Sequence, residues 1–369
     1  MILIYQNMPL VYDVFLSPDN KELFVLFNSI FNVINNERYS KIKYNIKKNN
    51  IFFNLNQIKI FINEQEYKYT WIGKNEYKEL ISIKIDNNFE KLKVKLIIDK
   101  ITKEYILEKR VDRNKYKDKI GIMTHFKNEN EYLLPWIYYY DKMGIDYFFI
   151  YNNNPKNKDY YDIVKEKYGD RVILCKWGFP FDLNLWPSGR SQMAAFTHCL
   201  KKYRNMKWIG FFDLDEYVVP LKDLTIKNFL DKFNVENIST IAIECMWFGC
   251  GRGIECDNTN FLEKLTFCKG ETEKRRDKEE RRMRVNAKCF HNPRNAIVIG
   301  NHKVVEFKGE YLCMDDKEIR FNHYFTLSKW GRDRFFTKKW KGNKKEIKKK
   351  CNCEVICKVE NKDILQRIH

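Results

Sequence analysis

The sequence predicts an α/β protein, a mixed sheet flanked by helices, preceded by a β-rich, sandwich-like N-terminal domain. Three observations carry that reading. Up to about residue 115 the chain alternates apolar with charged residues, the period of two that marks half-buried antiparallel strands. From residue 120 short apolar runs alternate with helix-patterned segments, which indicates βαβ units with helices on both faces of a sheet. A chain of 369 residues that is 44% hydrophobic and 15% aromatic can bury the cores of two domains, which argues against wholesale disorder.

The elements follow in chain order. "NQIKIFINEQEYKYTWIG" and "ELISIKIDNNFEKLKVKLIIDKITKEYILEK" alternate Ile, Val, Leu and Tyr with Lys, Asp and Glu, and "DNN" (86–88) and "DK" (99–100) are their turns. Residues 1–115 are therefore expected to form a β-rich accessory domain, with the charged stretch 109–119 as linker. Residues 116–340 are expected to form the α/β domain, and residues 341–369 a basic tail. In the α/β domain the strands are read at 120–126, 146–151, 171–177 and 207–212. Leu133, Trp136, Ile137 and Tyr140 give one face of the first helix. Pro135 would cost about 3 kcal/mol in a helix interior, so this helix should begin at or near it. Residues 159–170 read as a second helix and 188–203 as a third, with Met193, Phe196, Leu200 and Tyr203 as its buried stripe.

The formal charge of +19 favours an anionic partner: a nucleotide, a nucleic acid, a phospholipid surface or an acidic glycan. The eleven cysteines are odd in number and form no framework. The N-terminal residues, with Pro9, Asp13 and Pro18, lack the apolar core of a signal peptide, and no run approaches the roughly 18 apolar residues of a membrane span. Free thiols in a reducing, cytoplasmic compartment are the expectation. Cys351, Cys353 and Cys357 in "CNCEVIC" match no common structural zinc spacing.

In parallel α/β sheets ligands bind beyond the carboxyl ends of the strands. That directs attention to residues 127–129, to residues 152–154 and to "FFDLDEYVVP" (211–220). In extended geometry Asp213 and Asp215, two apart, lie on one face and can reach one point. Such carboxylates repel each other, and a divalent cation relieves the repulsion; Mg²⁺ and Mn²⁺ are commonly shared between carboxylates and substrate phosphates. The competing reading is a solvated acidic turn that ends a strand. Glu216 should point to the opposite face from Asp215 and support the site or the fold. His125, His198 and His291 read as structural.

"FKNENEYLLPWIYYYDKMGIDYFFIYNNN", "SQMAAFTHCL", "KWIGFFDLDEYVVP", "MWFGCGRG", "NHKV" and "FNHY", in that order, resemble the family 92 glycosyltransferases. They also resemble the wider GT-A group, Rossmann-like enzymes that transfer sugars from nucleotide-diphosphate donors. The resemblance covers roughly residues 119–330. It implies that Asp213, Asp215 and His323 hold Mn²⁺ or Mg²⁺ on the donor diphosphate. Asn128, Glu129, Asn152, Asn153, Gln192 and His302 fall at donor-site positions; the family usually has an Asp-Asn pair where this chain has Asn152 and Asn153. Lys288, with Arg284, could neutralise diphosphate charge. Trp247 and Gly249 belong to the acceptor-side motif, where an aromatic face suits a sugar ring.

The resemblance further implies inverting transfer, a UDP-sugar donor being favoured, to a hydroxyl of a glycan or of a protein- or lipid-linked acceptor. A carboxylate base is expected among Glu263, Asp257 and Glu244, which flank the acceptor loop. The polybasic "KKWKGNKKEIKKK", near Trp330 and Trp340, could bring the protein to the edge of an anionic membrane; a solvated tail is the alternative. Two other functions compete. A nucleic-acid binder or enzyme would suit the charge, but no RNA-binding or helix-turn-helix signature is present and the basic residues are spread along the chain. A non-catalytic carbohydrate-binding protein is opposed by the intact D-x-D and both late histidines.

Overall fold

A computed structural model describes residues 3–5, 8–28, 58–73, 79–98, 101–112, 114–154, 159–179, 190–249, 261–268, 270, 287–300, 302, 304–324 and 359–368. Two compact units emerge. The first gathers residues 1–119, 177–208 and 292–308, and the second residues 120–176, 209–291 and 309–369.

The first unit contains the expected β-rich region. Strands Leu3–Tyr5, Met8–Leu16, Glu22–Phe27, Leu80–Lys84 and Thr70–Ile72 form one antiparallel sheet, in that spatial order. Gln65–Glu66, Ile58–Ile62, Lys91–Ile98 and Ile101–Glu108 form a second. The alternation read from the sequence is the packing: Leu92, Val94, Leu96 and Ile98 are buried with Ile58, Ile60 and Ile62 in the same core as Val14, Leu23, Val25 and Ile81. Helix Arg190–Lys202 belongs to this unit. Its Thr197 hydroxyl donates to Glu79 at 2.7 Å, and His198 Nε2 lies 2.9 Å from Asp13 Oδ2. Burial pushes the His198 imidazole down to about 4, against the pull of Asp13, so the ring is neutral.

The second unit holds the mixed sheet implied by the GT-A resemblance. Its principal strands are β1 (Ile120–Phe126), β2 (Tyr147–Asn152), β3 (Val172–Lys176), β4 (Trp208–Phe211), β5 (Glu216–Pro220), β6 (Ile238–Gly249), β7 (Lys288–His291) and β8 (Ile319–His323). β1 and β2 are parallel, as are β2 and β3, and the order runs β3-β2-β1-β4-β7-β6. All seven residues of β1 are buried, as expected of an apolar run covered on both faces. β7 is antiparallel to β4 and β6, so the sheet becomes mixed on that side. β8 then joins β6 in parallel and β5 antiparallel.

Helix α1 (Leu133–Lys142) follows a 3₁₀ turn, Asn130–Tyr132, and α2 (Asp159–Tyr168) follows β2. Pro135 sits in the first turn of α1, where its missing N–H leaves no helical bond unmade. Six cysteines among the described residues, Cys175, Cys199, Cys245, Cys268, Cys289 and Cys313, are free thiols. Among the described residues no helix is long and apolar enough to cross a membrane. The polybasic segment, Cys351, Cys353 and Cys357 lie outside the described residues.

Candidate functional site

The site is built on the chain between β4 and β5. Extended geometry was the expectation for Asp213 to Glu216, with Glu216 facing away. The structure shows a turn instead: the Glu216 N–H donates to the Asp213 carbonyl at 3.1 Å. Reversal of the chain brings the Glu216 carboxylate back, and its Oε2 accepts the Asp213 N–H at 2.9 Å. Three aromatic residues of α1 hold the backbone here. Trp136 Nε1 donates to the Asp213 carbonyl at 3.1 Å, the Tyr140 hydroxyl to the Glu216 carbonyl at 2.9 Å, and the Tyr139 hydroxyl to the Val218 carbonyl at 2.7 Å. The same rings are wholly buried, so one apolar face both packs α1 and fixes the acidic turn.

Strand register assembles the remaining groups. Glu216 on β5 stands opposite His323 on β8, and His323 stands beside Trp247 on β6. His323 Nε2 lies 3.4 Å from Asp215 Oδ2, and its ring is 5.0 Å from that of Trp247. Ligand atoms of Asp215, Glu216 and His323 all lie within 4.8 Å of one another. Asp213, by contrast, is turned toward Lys288: the ammonium is 2.7 Å from Asp213 Oδ2 and 2.9 Å from Glu216 Oε2. Lys288, expected to neutralise a diphosphate, is buried at the start of β7 and holds these two carboxylates.

The electrostatics are those of crowded acids. Burial opposes charge on Lys288, but Asp213 and Glu216 hold it above the ordinary lysine value. Burial likewise opposes charge on His323, yet Asp215, a Cys245 contact and Glu216 keep its imidazole well above its usual value. Burial raises Glu216, and Asp213 adds to the effect against Lys288. Glu129, just after β1, is pushed up to about 8 by burial and then by the charges of Asp215 and Asp213. Four carboxyl groups thus share one field with two basic groups, an arrangement that favours an added cation.

The ends of β1 and β2 form a wall of amides. Asn128 takes a left-handed conformation, with φ of 59°, and its Oδ1 accepts from Asn154 Nδ2. Asn152 Oδ1 accepts the Asn154 N–H at 2.7 Å, and the Asn153 N–H donates to the Phe126 carbonyl at 2.8 Å. Asn152 and Asn153 are buried, and among the described residues Asn152 Nδ2 has no acceptor. Trp247 is half-buried and Gly249, which ends β6, is buried. Glu244 is buried within β6, whereas Glu263 is exposed on the short helix Phe261–Lys264. Asp257, Arg284, Gly251 and Gly253 lie outside the described residues. Gln192, half-buried on helix Arg190–Lys202, and His302, exposed, belong to the first unit. His125 and His291 are buried; burial drives them down to about 4 and about 3, and His291 Nδ1 lies 3.0 Å from the Thr240 hydroxyl.

Sequence reasoning undervalued Glu216, because strand alternation says nothing about a turn. It also missed the polar ends of Trp136, Tyr139 and Tyr140. Trp136 and Tyr140 were visible as part of a buried face and Tyr139 was not; which carbonyls the three reach is set only by tertiary packing.

Comparison with known proteins agrees with this geometry. The family model described as glycosyltransferase family 92 matches residues 120–361. A glycosyltransferase family 92 protein of Ricinus communis is 31% identical over 134 residues, 35% of this chain and 22% of its own length. A galactan β-1,4-galactosyltransferase of Arabidopsis thaliana is 30% identical over 143 residues, 36% of this chain and 26% of its own length. The chain thus spans about a quarter of the length of these curated relatives. The crystal structure of S. aureus TarS 1-349 aligns over 56% of this chain and 61% of its own at 13% identity, with a TM-score of 0.31, too slight a likeness to bear on function. With a match over well more than half of its length, taking in the acidic turn and the strands that frame it, the chain belongs to glycosyltransferase family 92.

Proposed function

We propose that this chain is a divalent-cation-dependent, inverting glycosyltransferase that moves a sugar from a UDP-sugar to a carbohydrate hydroxyl. The observation that supports this most directly is the meeting of Asp213, Asp215, Glu216 and His323 beyond the end of β4 in a family 92 chain. The donor set suits the ion: Asp215 and Glu216 offer hard oxygens and His323 an imidazole, ligands that Mn²⁺ and Mg²⁺ accept. When bound there, the ion would stabilise the negative charge gathering on the departing diphosphate.

The chain's own residues do the rest. Lys288 keeps Asp213 and Glu216 in place. Asn128, Asn152 and Asn153 present amides that can hydrogen-bond the edge of a base or a ribose. Trp247 offers a ring face to a sugar. The reaction needs one carboxylate to take the acceptor hydroxyl proton as its oxygen attacks the anomeric carbon and the bond to the diphosphate breaks. Of the described candidates, Glu263 has solvent access and Glu244 does not; Asp257 remains a candidate for the same role. Because one relative is a galactan β-1,4-galactosyltransferase, UDP-galactose with a galactan acceptor is the first pair to assay. The polybasic tail is the proposed point of contact with anionic lipid.

Calorimetric titration with UDP, with and without Mn²⁺, tests the reading. Wild type should bind UDP at least tenfold more tightly with Mn²⁺, and Asp215→Asn should lose that increment. A wild-type protein indifferent to the metal, or an Asp215→Asn variant that responds like wild type, would sink the proposal.

A further inference from the structure

The first unit contains a cavity of about 690 Å³ whose lining comes from five separate stretches of chain: Pro18 to Phe24, Ile72, the turn at Asn114 and Lys117, the end of helix Arg190–Lys202 with the residues just after it, and Pro293 to Lys308. Every residue lining it belongs to that unit, whereas the acidic turn lies in the other. The volume is in the range of small-molecule sites. Phe24, Ile72 and Ile297 supply apolar wall, while five cations face the space: Lys117, Lys201, Arg204, Arg294 and Lys308.

The charges are unevenly satisfied. Arg204 is engaged by Asp19 at 3.0 Å and by Glu22, the two carboxylates of the lining. Arg294 is 3.0 Å from Asp118. Lys201 differs from both. It is only 8% exposed, its ammonium donates to the Ala296 carbonyl at 3.2 Å, and among the described residues it makes no ion pair. Glu22 and Glu306 act on it only through longer-range charge, and burial, with the nearby Arg204, pulls it down to about 8. A buried ammonium held, among the described residues, by one carbonyl at the wall of a cavity is costly unless something anionic fills the space. Lys117 and Lys308 are exposed at the same cavity, from different segments. Donors arriving from several directions match the three free oxygens of a phosphate monoester better than the single plane of a carboxylate.

We propose that this cavity is a second ligand site, specific for a phosphate group carried on a small body such as a sugar, with Lys201 as its buried anchor. The phosphate could be that of a soluble sugar phosphate or of a lipid headgroup, and the same chemistry would recognise either.

The full chain is titrated in EDTA, which silences any metal-assisted phosphate binding at the acidic turn. Inorganic phosphate and glucose 6-phosphate are compared with sulfate and chloride at matched ionic strength, and phosphatidic acid vesicles with phosphatidylcholine vesicles. Wild type should bind one of the phosphate probes in preference to chloride and sulfate, or phosphatidic acid in preference to phosphatidylcholine. Lys201→Met should weaken that binding at least tenfold, while Mn²⁺-dependent UDP binding is unchanged. Lys117→Gln/Lys308→Gln, both on the surface, should weaken it severalfold and guard against a folding defect in the buried variant. Binding of soluble phosphates identifies a metabolite site, and binding of phosphatidic acid alone identifies a lipid site. No phosphate preference in wild type, or unchanged binding by folded Lys201→Met, overturns the proposal whatever becomes of the transferase reading.

Discussion

Lys288 carries more of the site than its position in a basic run suggested. Its ammonium is buried and shared by Asp213 and Glu216, so removing it leaves two close carboxylates without their counter-charge. Breaking a buried pair from one side costs about 3–5 kcal/mol. Lys288→Met should lose stability on that scale, and Lys288→Met/Glu216→Gln should recover part of it, both read from denaturant midpoints. A single variant within 1 kcal/mol of wild type would contradict the buried-pair description. His291 gives a second test. Its folded pKa of about 3 lies below the unfolded value of about 6.5, so the native chain refuses a proton that the unfolded chain accepts. Wild type therefore loses stability from this group as pH falls from about 6.5 toward 3. His291→Asn cannot titrate, so its stability deficit against wild type should shrink by about 1.4 kcal/mol per pH unit across that window. A deficit that stays constant with pH would mean the ring is protonated when buried. Much of this chemistry was legible at the level of residue type: two aspartates, a late histidine and a lysine were all marked from the sequence. Their division of labour was not, because "DLDE" has no glycine or proline to announce the turn that swings Glu216 back.

Elements were read more securely than side-chain roles. The run at 120–126 became β1 residue for residue, and among the described residues the helix read at 188–203 spans Arg190–Lys202, because buried strands and an amphipathic stripe impose periods that survive folding. The close approach of strands leaves no such trace. Gly210 in β4 is an example. A Cβ there would lie 2.6 Å from the Phe290 ring of β7 and 2.9 Å from the ring of Phe212, just past β4, so the bare backbone lets these two aromatics close over it. Gly210→Ala should cost about 1–3 kcal/mol as an overpacked core position. Because Phe212 adjoins Asp213, the variant should also weaken Mn²⁺-dependent UDP binding more than its loss of stability alone would. Thermal denaturation and calorimetry on one preparation separate the two effects. Unchanged melting would show that the rings move aside without cost.

At the scale of the whole chain, sequence order and compactness diverge. The period of two ends near residue 115, which suggested a domain boundary, yet the first compact unit also takes in residues 177–208 and 292–308. Periodicity could not reveal this, since a helix's pattern shows that it has a buried face but not what covers it. For helix Arg190–Lys202 the cover includes the N-terminal strands: Thr197 bonds Glu79, His198 meets Asp13 and packs on Phe15, and Arg204, just beyond, pairs with Asp19 and Glu22. A fragment of residues 116–340 would strip these partners away. His198, buried in the intact protein, would lose Asp13 and Phe15, and Thr197 would lose Glu79. We expect that fragment to unfold without a cooperative transition, to bind a hydrophobic dye and to be cut by protease within residues 177–208. Adding residues 1–115 in trans should restore a sharp transition if the sandwich folds by itself, and the intact chain supplies the reference if it does not. Should the fragment alone melt cooperatively near the temperature of the full chain, the helix would have found its cover within the α/β portion, and the N-terminal sheets would be an appendage, not part of one compact unit with it.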